Sequence, residues 1–156
     1  MKYLGTAVSG SNTYFSLVEN GEVVADELGR LSLSPSFSRP EALTEFESAV
    51  RDHLARIGPQ WVGLFDANFQ PRSYAQAARR AELETIVELA AAHQGFEVER
   101  LTLPRIKSLL SLGRRGSVAE TADAVFGEDP GLGAYWGAGR NTAALVALAA
   151  WRRDAD

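Results

Sequence analysis

Between Arg100 and Ala119 the chain carries five basic residues, Arg100, Arg105, Lys107, Arg114 and Arg115, and no acidic one. Cations grouped without carboxylates suit phosphate contact, because each can neutralise a phosphate and release its counterions. The segment runs into Ser117-Val-Ala-Glu120, the S-x-x-E spacing of a capping box, so a helix N-terminus follows the basic loop Gly113-Arg-Arg-Gly116. Free N–H groups at such a start help hold an anion. Arg105, Lys107, Arg114, Arg115 and Ser117 are therefore the candidate phosphate contacts; a solvated basic loop is the plainer reading of the same residues. Arg72, Arg79 and Arg80 could extend the patch, but Glu82, Glu84 and Glu88 follow directly, and a salt-bridged helix face fits that spacing better.

Other residues with chemical potential are fewer. Tyr135 and Trp136 stand in the glycine-rich stretch 128–139, where they could stack on bases, form a protein contact or lid the core. Asp66 ends the apolar run Trp61-Val-Gly-Leu-Phe-Asp66, either as a metal ligand or as the polar end of a buried strand. Ser9-Gly-Ser-Asn12 has the composition of a phosphate-cradling turn. His53 and His93 are too far apart to share a metal and read as surface or structural residues. With no cysteine, disulfides, thiolate metal sites and thiol chemistry are excluded.

The whole chain is acidic, with a net charge of −4, so any nucleic-acid contact must come from a local basic face. Arginine outnumbers lysine 14 to 2. At 156 residues, with 46% apolar and 23% charged residues, a single globular domain over 1–156 is expected. No apolar run is long enough for a membrane span and no secretory pattern opens the chain, so a cytoplasmic protein is expected.

The elements that must position these residues begin with a meander. Strands are predicted over 3–8, 13–19 and 22–26, joined by a small-residue turn and by Asn20-Gly21, a strong short-range hairpin signal. The alternation over 30–33 extends the third strand before Pro35 and Pro40 interrupt regular structure. Leu43, Phe46, Val50, Leu54 and Ile57 mark one face of a helix begun at Ser38 and ended by Gly58-Pro59. Residues 61–66 read as a strand buried on both faces. A long helix over 72–93 follows, with Tyr74, Ala77, Ala78, Ala81, Ile86, Leu89 and Ala90 expected inward. A strand over 96–103 and helices over 105–112, 117–126 and 140–153 complete the chain, the last capped by Asn141. The result is an α/β domain with a mixed five-stranded sheet, a three-strand antiparallel meander plus two parallel strands, flanked by helices.

The order β-β-β-α-β-α-β-α and a succession of short motifs resemble the RuvC family of Holliday-junction resolvases, of the RNase H-like fold. Asp66 and Phe69 match the family's carboxylate and phenylalanine three residues apart. Pro104-Arg-Ile-Lys107, the basic loop with its capped helix, and the Ala/Leu-rich last helix match in turn. A weaker likeness of residues 5–24 is to actin-like phosphotransferases, which need a longer chain and also an acidic first strand. The RuvC resemblance implies a junction-binding nuclease acting as a homodimer around the long helix, with four carboxylates holding a pair of Mg²⁺ ions. The matching positions depart from that set. Ala7 stands where Gly-x-Asp would place the first acid. The start of the last helix offers Arg140 or Asn141, and Ala143 or Ala144, in place of two more. Only Asp66 remains, and one carboxylate cannot hold two hard cations.

The resulting expectation is a catalytically inactive RuvC-like pseudo-nuclease that binds branched nucleic acid in DNA recombination or repair, with Mg²⁺ relevant only if activity survives. The alternatives are a protein-interaction module using Tyr135 and Trp136, and a nuclease with a rearranged site built from Asp66, Glu120 and Asp123.

Overall fold

The computed structural model describes residues 1–25, 29–35, 38–67 and 74–156. Strands β1 (Lys2–Ser9) and β2 (Asn12–Glu19) form an antiparallel hairpin in continuous register from Lys2↔Glu19 to Ser9↔Asn12. Asn20 and Gly21 both take positive φ, 53° and 82°, as a type I′ turn requires, and lead into β3 (Glu22–Val24). β3 pairs with the distal half of β2, and β4 (Arg30–Ser32) pairs with its proximal half. The third meander strand is thus two short pieces on one edge, giving six strands where five were expected; its expected end at Asp26 lies outside the described residues.

β5 (Trp61–Asp66) lies parallel to β1, and β6 (Glu97–Thr102) lies parallel to β5. Helices α1 (Arg39–Ile57) and α2 (Tyr74–His93) pack on one face of the sheet, where Leu4, Phe15, Val62 and Leu64 meet Phe46, Val50, Leu83 and Val87. The other face carries Tyr3, Val18 and Trp61 against α5 (Asn141–Ala155), with α3 (Leu103–Leu109) and α4 (Val118–Phe126) alongside. Gly5 makes the closest sheet–helix approach: a Cβ there would lie 1.8 Å from the Ala143 carbonyl oxygen.

Two sequence expectations change. The buried face of α2 is Leu83, Val87, Ala90 and Ala91, whereas Tyr74 and Leu89 are 89% and 51% exposed and Ala81 is exposed. Alanine is compatible with either face, so the phase of that helix was set by its weakest signals. The expected start of α2 at Arg72 and the loop from Asn68 to Pro71 lie outside the described residues. Asn141 does not cap α5, because its backbone is already helical (φ −60°, ψ −43°) and follows a π-type turn, Trp136–Arg140, that kinks at Gly139. His53 is structural, buried against Phe15 with ring centroids 4.7 Å apart.

Candidate nucleic-acid interface

The basic segment is built on two helix starts. The Thr102 side chain caps α3 by accepting from the Arg105 N–H at 3.4 Å, and Pro104 fits the first turn because it has no N–H to satisfy. The Ser117 hydroxyl caps α4 by accepting from the Glu120 N–H at 3.2 Å and donates to the Glu120 carboxylate at 3.3 Å. The capping pair expected from S-x-x-E forms, with the carboxylate reaching the hydroxyl. Between the two helices, Arg114 and Arg115 are exposed on the loop, and Arg105 is exposed at the start of α3. Among the described residues none of these three arginines has a carboxylate within ion-pair distance, in contrast to Arg100, which pairs with Glu84 and Glu88.

Lys107 behaves differently from the expected phosphate contact. Its side chain is buried, and its ammonium donates to the Gly116 carbonyl at 2.6 Å and the Arg114 carbonyl at 3.1 Å. A cation held by two carbonyls fastens the basic loop. Neither the lysine's type nor its spacing announces this, because lysine is normally exposed.

Beside the loop, a cleft of about 670 Å³ opens at the C-terminal ends of β1 and β5. This is the end of a parallel strand pair where α/β folds habitually bind ligands. Ala7, Phe65, Ala67, Val118 and Thr142 line it, with Arg80 at one wall, and none of the described lining residues is a carboxylate. Asp66 is absent from that wall. Register sets Thr6 beside Leu64, so Ala7 and Phe65 follow as neighbours, and strand alternation turns Asp66 to the face of Val62 and Leu64. There it lies near Glu84 of α2. Burial pushes the Glu84 carboxyl up from its usual range; Arg100 at 2.7 Å and Arg80 at 3.1 Å oppose that shift, and Asp66 adds to it. Phe69, the matched partner of Asp66, lies outside the described residues.

The last helix presents Thr142 to the cleft in place of Asn141 or Ala144. Asn141 is buried and its side-chain oxygen accepts from the Thr142 N–H at 2.7 Å, and Ala144 is sealed in the core with Ala143. The turn before α5 alters which residues face the cleft, which glycine-rich sequence does not reveal. Arg140, within that turn, is fully buried and donates to the carbonyls of Phe15 and Leu132 at 3.1 and 2.6 Å. A pair of Mg²⁺ ions does not fit this donor set: hard cations need several oxygen anions, and the described lining residues offer methyl groups, aromatic rings, hydroxyls, one amide and one guanidinium. Glu120 and Asp123 sit exposed on α4, and the described residues contain no group of three or more His, Asp or Glu placed to hold a metal.

The two loop aromatics part company. Trp136 packs edge-on against Phe126 with centroids 5.2 Å apart and is partly buried, so it helps close the core. Tyr135 is 41% exposed, held at φ 64°, with the Arg30 guanidinium 4.3 Å above its ring and Tyr14 at 6.4 Å. The sequence did not single out Arg30, which stacks on this ring.

No family model matches the chain, and no curated protein matches it by sequence. Solved structures do. Thermus thermophilus RuvC in complex with a Holliday-junction substrate superposes with a TM-score of 0.76 at 17% identity, covering 99% of this chain and 95% of that one. Another T. thermophilus RuvC structure gives 0.71 at 18% identity, covering 99% and 96%. The yeast mitochondrial Holliday-junction resolvase Ydc2 gives 0.63 at 13%, covering 98% of this chain and 78% of that one. The meander, the parallel pair β1–β5 and the closing helix over the sheet therefore constitute the RuvC-like, RNase H-like fold.

Proposed function

We propose that this chain binds branched DNA through the basic segment 105–117 and does not cleave it by two-metal chemistry, serving recombination or repair as a RuvC-like pseudo-nuclease. The observation that carries the reading is the pairing of a cleft without a carboxylate among its described lining residues with an adjoining loop whose exposed arginines form no ion pair with a described carboxylate. The DNA complex of the T. thermophilus neighbour supports branched DNA as the ligand to test first. Exposed Arg114 and Arg115 make the phosphate contacts, Arg105 adds a third positive charge, and Lys107 and Ser117 hold the loop and helix start in place.

The test uses a four-way junction with and without Mg²⁺ or Mn²⁺, scored for binding and for strand cleavage together. Binding that weakens with salt, and no cleavage, is expected. Arg114→Glu with Arg115→Glu should reduce affinity by roughly 100-fold and flatten the salt dependence by about two phosphate contacts. Unchanged affinity in that double variant overturns the proposal, as does metal-dependent cleavage by the purified wild-type chain.

A homodimer through α2 belongs to the same reading. Its exposed stripe contains Tyr74, Ala81, Thr85 and Leu89, and apolar side chains this open to water are suited to a second copy. A protein-interaction module is the second reading, favoured by exposed Tyr135 with Arg30 stacked on it. It predicts a complex stable at high salt and weakened by Tyr135→Ala. Among the described residues no helix is long and apolar enough to cross a membrane.

A further inference from the structure

We infer that the cleft beside the basic loop is a nucleobase pocket, taking one unstacked base of the nucleic acid whose backbone lies on that loop. The inference rests on the junction-binding reading and names what the cleft itself would hold.

Three features of the cleft select the ligand class. Its floor is apolar, made by Ala7 of β1 and by Phe65 and Ala67 of β5. Aromatic surface comes from Phe65 and Tyr14; the Tyr14 ring is backed directly by main chain, since a Cβ on Gly139 would lie 2.3 Å from it. Tyr14, 6% exposed, forms a rigid wall, and half-buried Phe65 is the ring left open for stacking. The neutral polar groups at the rim are the hydroxyls of Ser9, Tyr14 and Thr142 and the amide of Gln76. Arg80, a cation on the wall, is already paired with Glu84 at 3.1 Å. Among the described lining residues there is no carboxylate to hold a metal ion, and the one cation is engaged by Glu84. A planar, neutral heteroaromatic ring with hydrogen-bonding edges satisfies both the platform and the rim. The volume of about 670 Å³ lies within the range of small-ligand sites and accommodates a base together with part of its sugar.

Position identifies the base's source. Val118 lines the cleft and is the first residue of α4, immediately after Ser117 and two residues after Gly116. A phosphate on the Arg114–Arg115 loop therefore stands next to the cleft mouth. Branched DNA supplies bases near the exchange point that are less costly to unstack than those inside a duplex.

The experiment uses four-way junctions with 2-aminopurine placed in turn at each position flanking the branch point. Anisotropy of a distant end label reports binding, and 2-aminopurine emission reports departure from the stack. Wild-type protein should change the emission at one position by several-fold on saturation. Ala7→Leu, which fills the floor, should abolish that response and lower affinity by roughly tenfold. Thr142→Val keeps the side-chain volume and removes a rim hydroxyl; it should reduce the response, and it decides the matter if Ala7→Leu fails to fold. Junction binding with no emission change at any position overturns the pocket and leaves the junction reading standing, as does a response undiminished in the folded variants. Absence of any anisotropy change overturns both.

Discussion

The ammonium of Lys107 lies 2.6 Å from the carbonyl oxygen of Gly116, nine residues along the chain, and 3.1 Å from that of Arg114. One buried cation thereby pins both ends of the turn that presents Arg114 and Arg115. Main-chain carbonyls held inward leave the two guanidinium groups directed from a fixed base, which lowers the entropy lost when they engage a ligand.

Lys107→Met separates fastening from charge. The apolar stem is retained, while the two carbonyls lose their donor, at a cost of about 1–3 kcal/mol. The expected result is faster amide exchange across 113–117 and weaker junction binding. Because the Lys107 ammonium is engaged by two carbonyls, the slope of affinity against salt should stay as in wild type. A slope reduced by one contact would show instead that the lysine meets the DNA.

Gly5→Ala tests the contact between the first strand and the closing helix. The new methyl would stand 1.8 Å from the Ala143 carbonyl oxygen, which is backbone and cannot swing aside. Loss of several kcal/mol, on the order of the largest single-residue effects, is expected in a urea melt. Gly10→Ala provides the contrast. Nothing lies within 4 Å of its added Cβ, and only its φ of 62° is unfavourable, so about 1 kcal/mol is expected.

The sheet was legible because its signals are local and unambiguous. Asn20-Gly21 demands a tight hairpin, and the apolar run 61–66 suits a strand covered on both faces, as β5 is. The site was legible only in part. The resemblance set Ala7 at the position of the family's first acid, and Ala7 lines the cleft; Asp66, read as either a metal ligand or the polar end of a buried strand, is turned by strand alternation toward α2. A single-residue phase decides such a case, and sequence spacing does not fix which side of the sheet a strand end faces. Thr142 was missed for a related reason, since the π-type turn ahead of α5 has no sequence signature beyond its glycines. The burial of Lys107 and Arg140 was illegible in principle: both are satisfied by main-chain carbonyls, which every residue possesses.

The exposed stripe on α2 gives a prediction about assembly. Leu89 is 51% exposed and Tyr74 is 89% exposed on the side away from the core residues Leu83 and Val87. Leu89→Arg should convert a homodimer to a monomer in sedimentation while leaving the thermal transition nearly unchanged, because the side chain supports little of the fold. A wild-type chain that sediments as a monomer across micromolar concentrations contradicts the dimer.

The far end of α5 is tied to β1 by a small network whose pH dependence has a defined sign. The Tyr3 hydroxyl donates to Asp154 at 2.9 Å, and Arg153 donates to Asp154 at 2.8 Å and to Glu99 at 2.6 Å. The Arg153 hydrogen bond, aided by that from Tyr3, holds the Asp154 carboxyl below its ordinary value of 3.8. A carboxyl more acidic when folded adds stability that is present above its ordinary value and disappears as the pH falls through the lowered one. Tyr3 has the opposite polarity: burial first, then the bond to Asp154, raises its phenol above 10.0. Its contribution is complete below pH 10.0 and declines as the pH climbs through the raised value. Because Asp154 is largely exposed, its share is about 0.2–1 kcal/mol. Asp154→Asn should therefore flatten the loss of stability between neutral pH and the acid limb of a urea-melt series, while retaining an acceptor for Tyr3. An acid limb as steep as that of wild type would mean that other carboxylates govern acid unfolding and that this tie contributes nothing measurable.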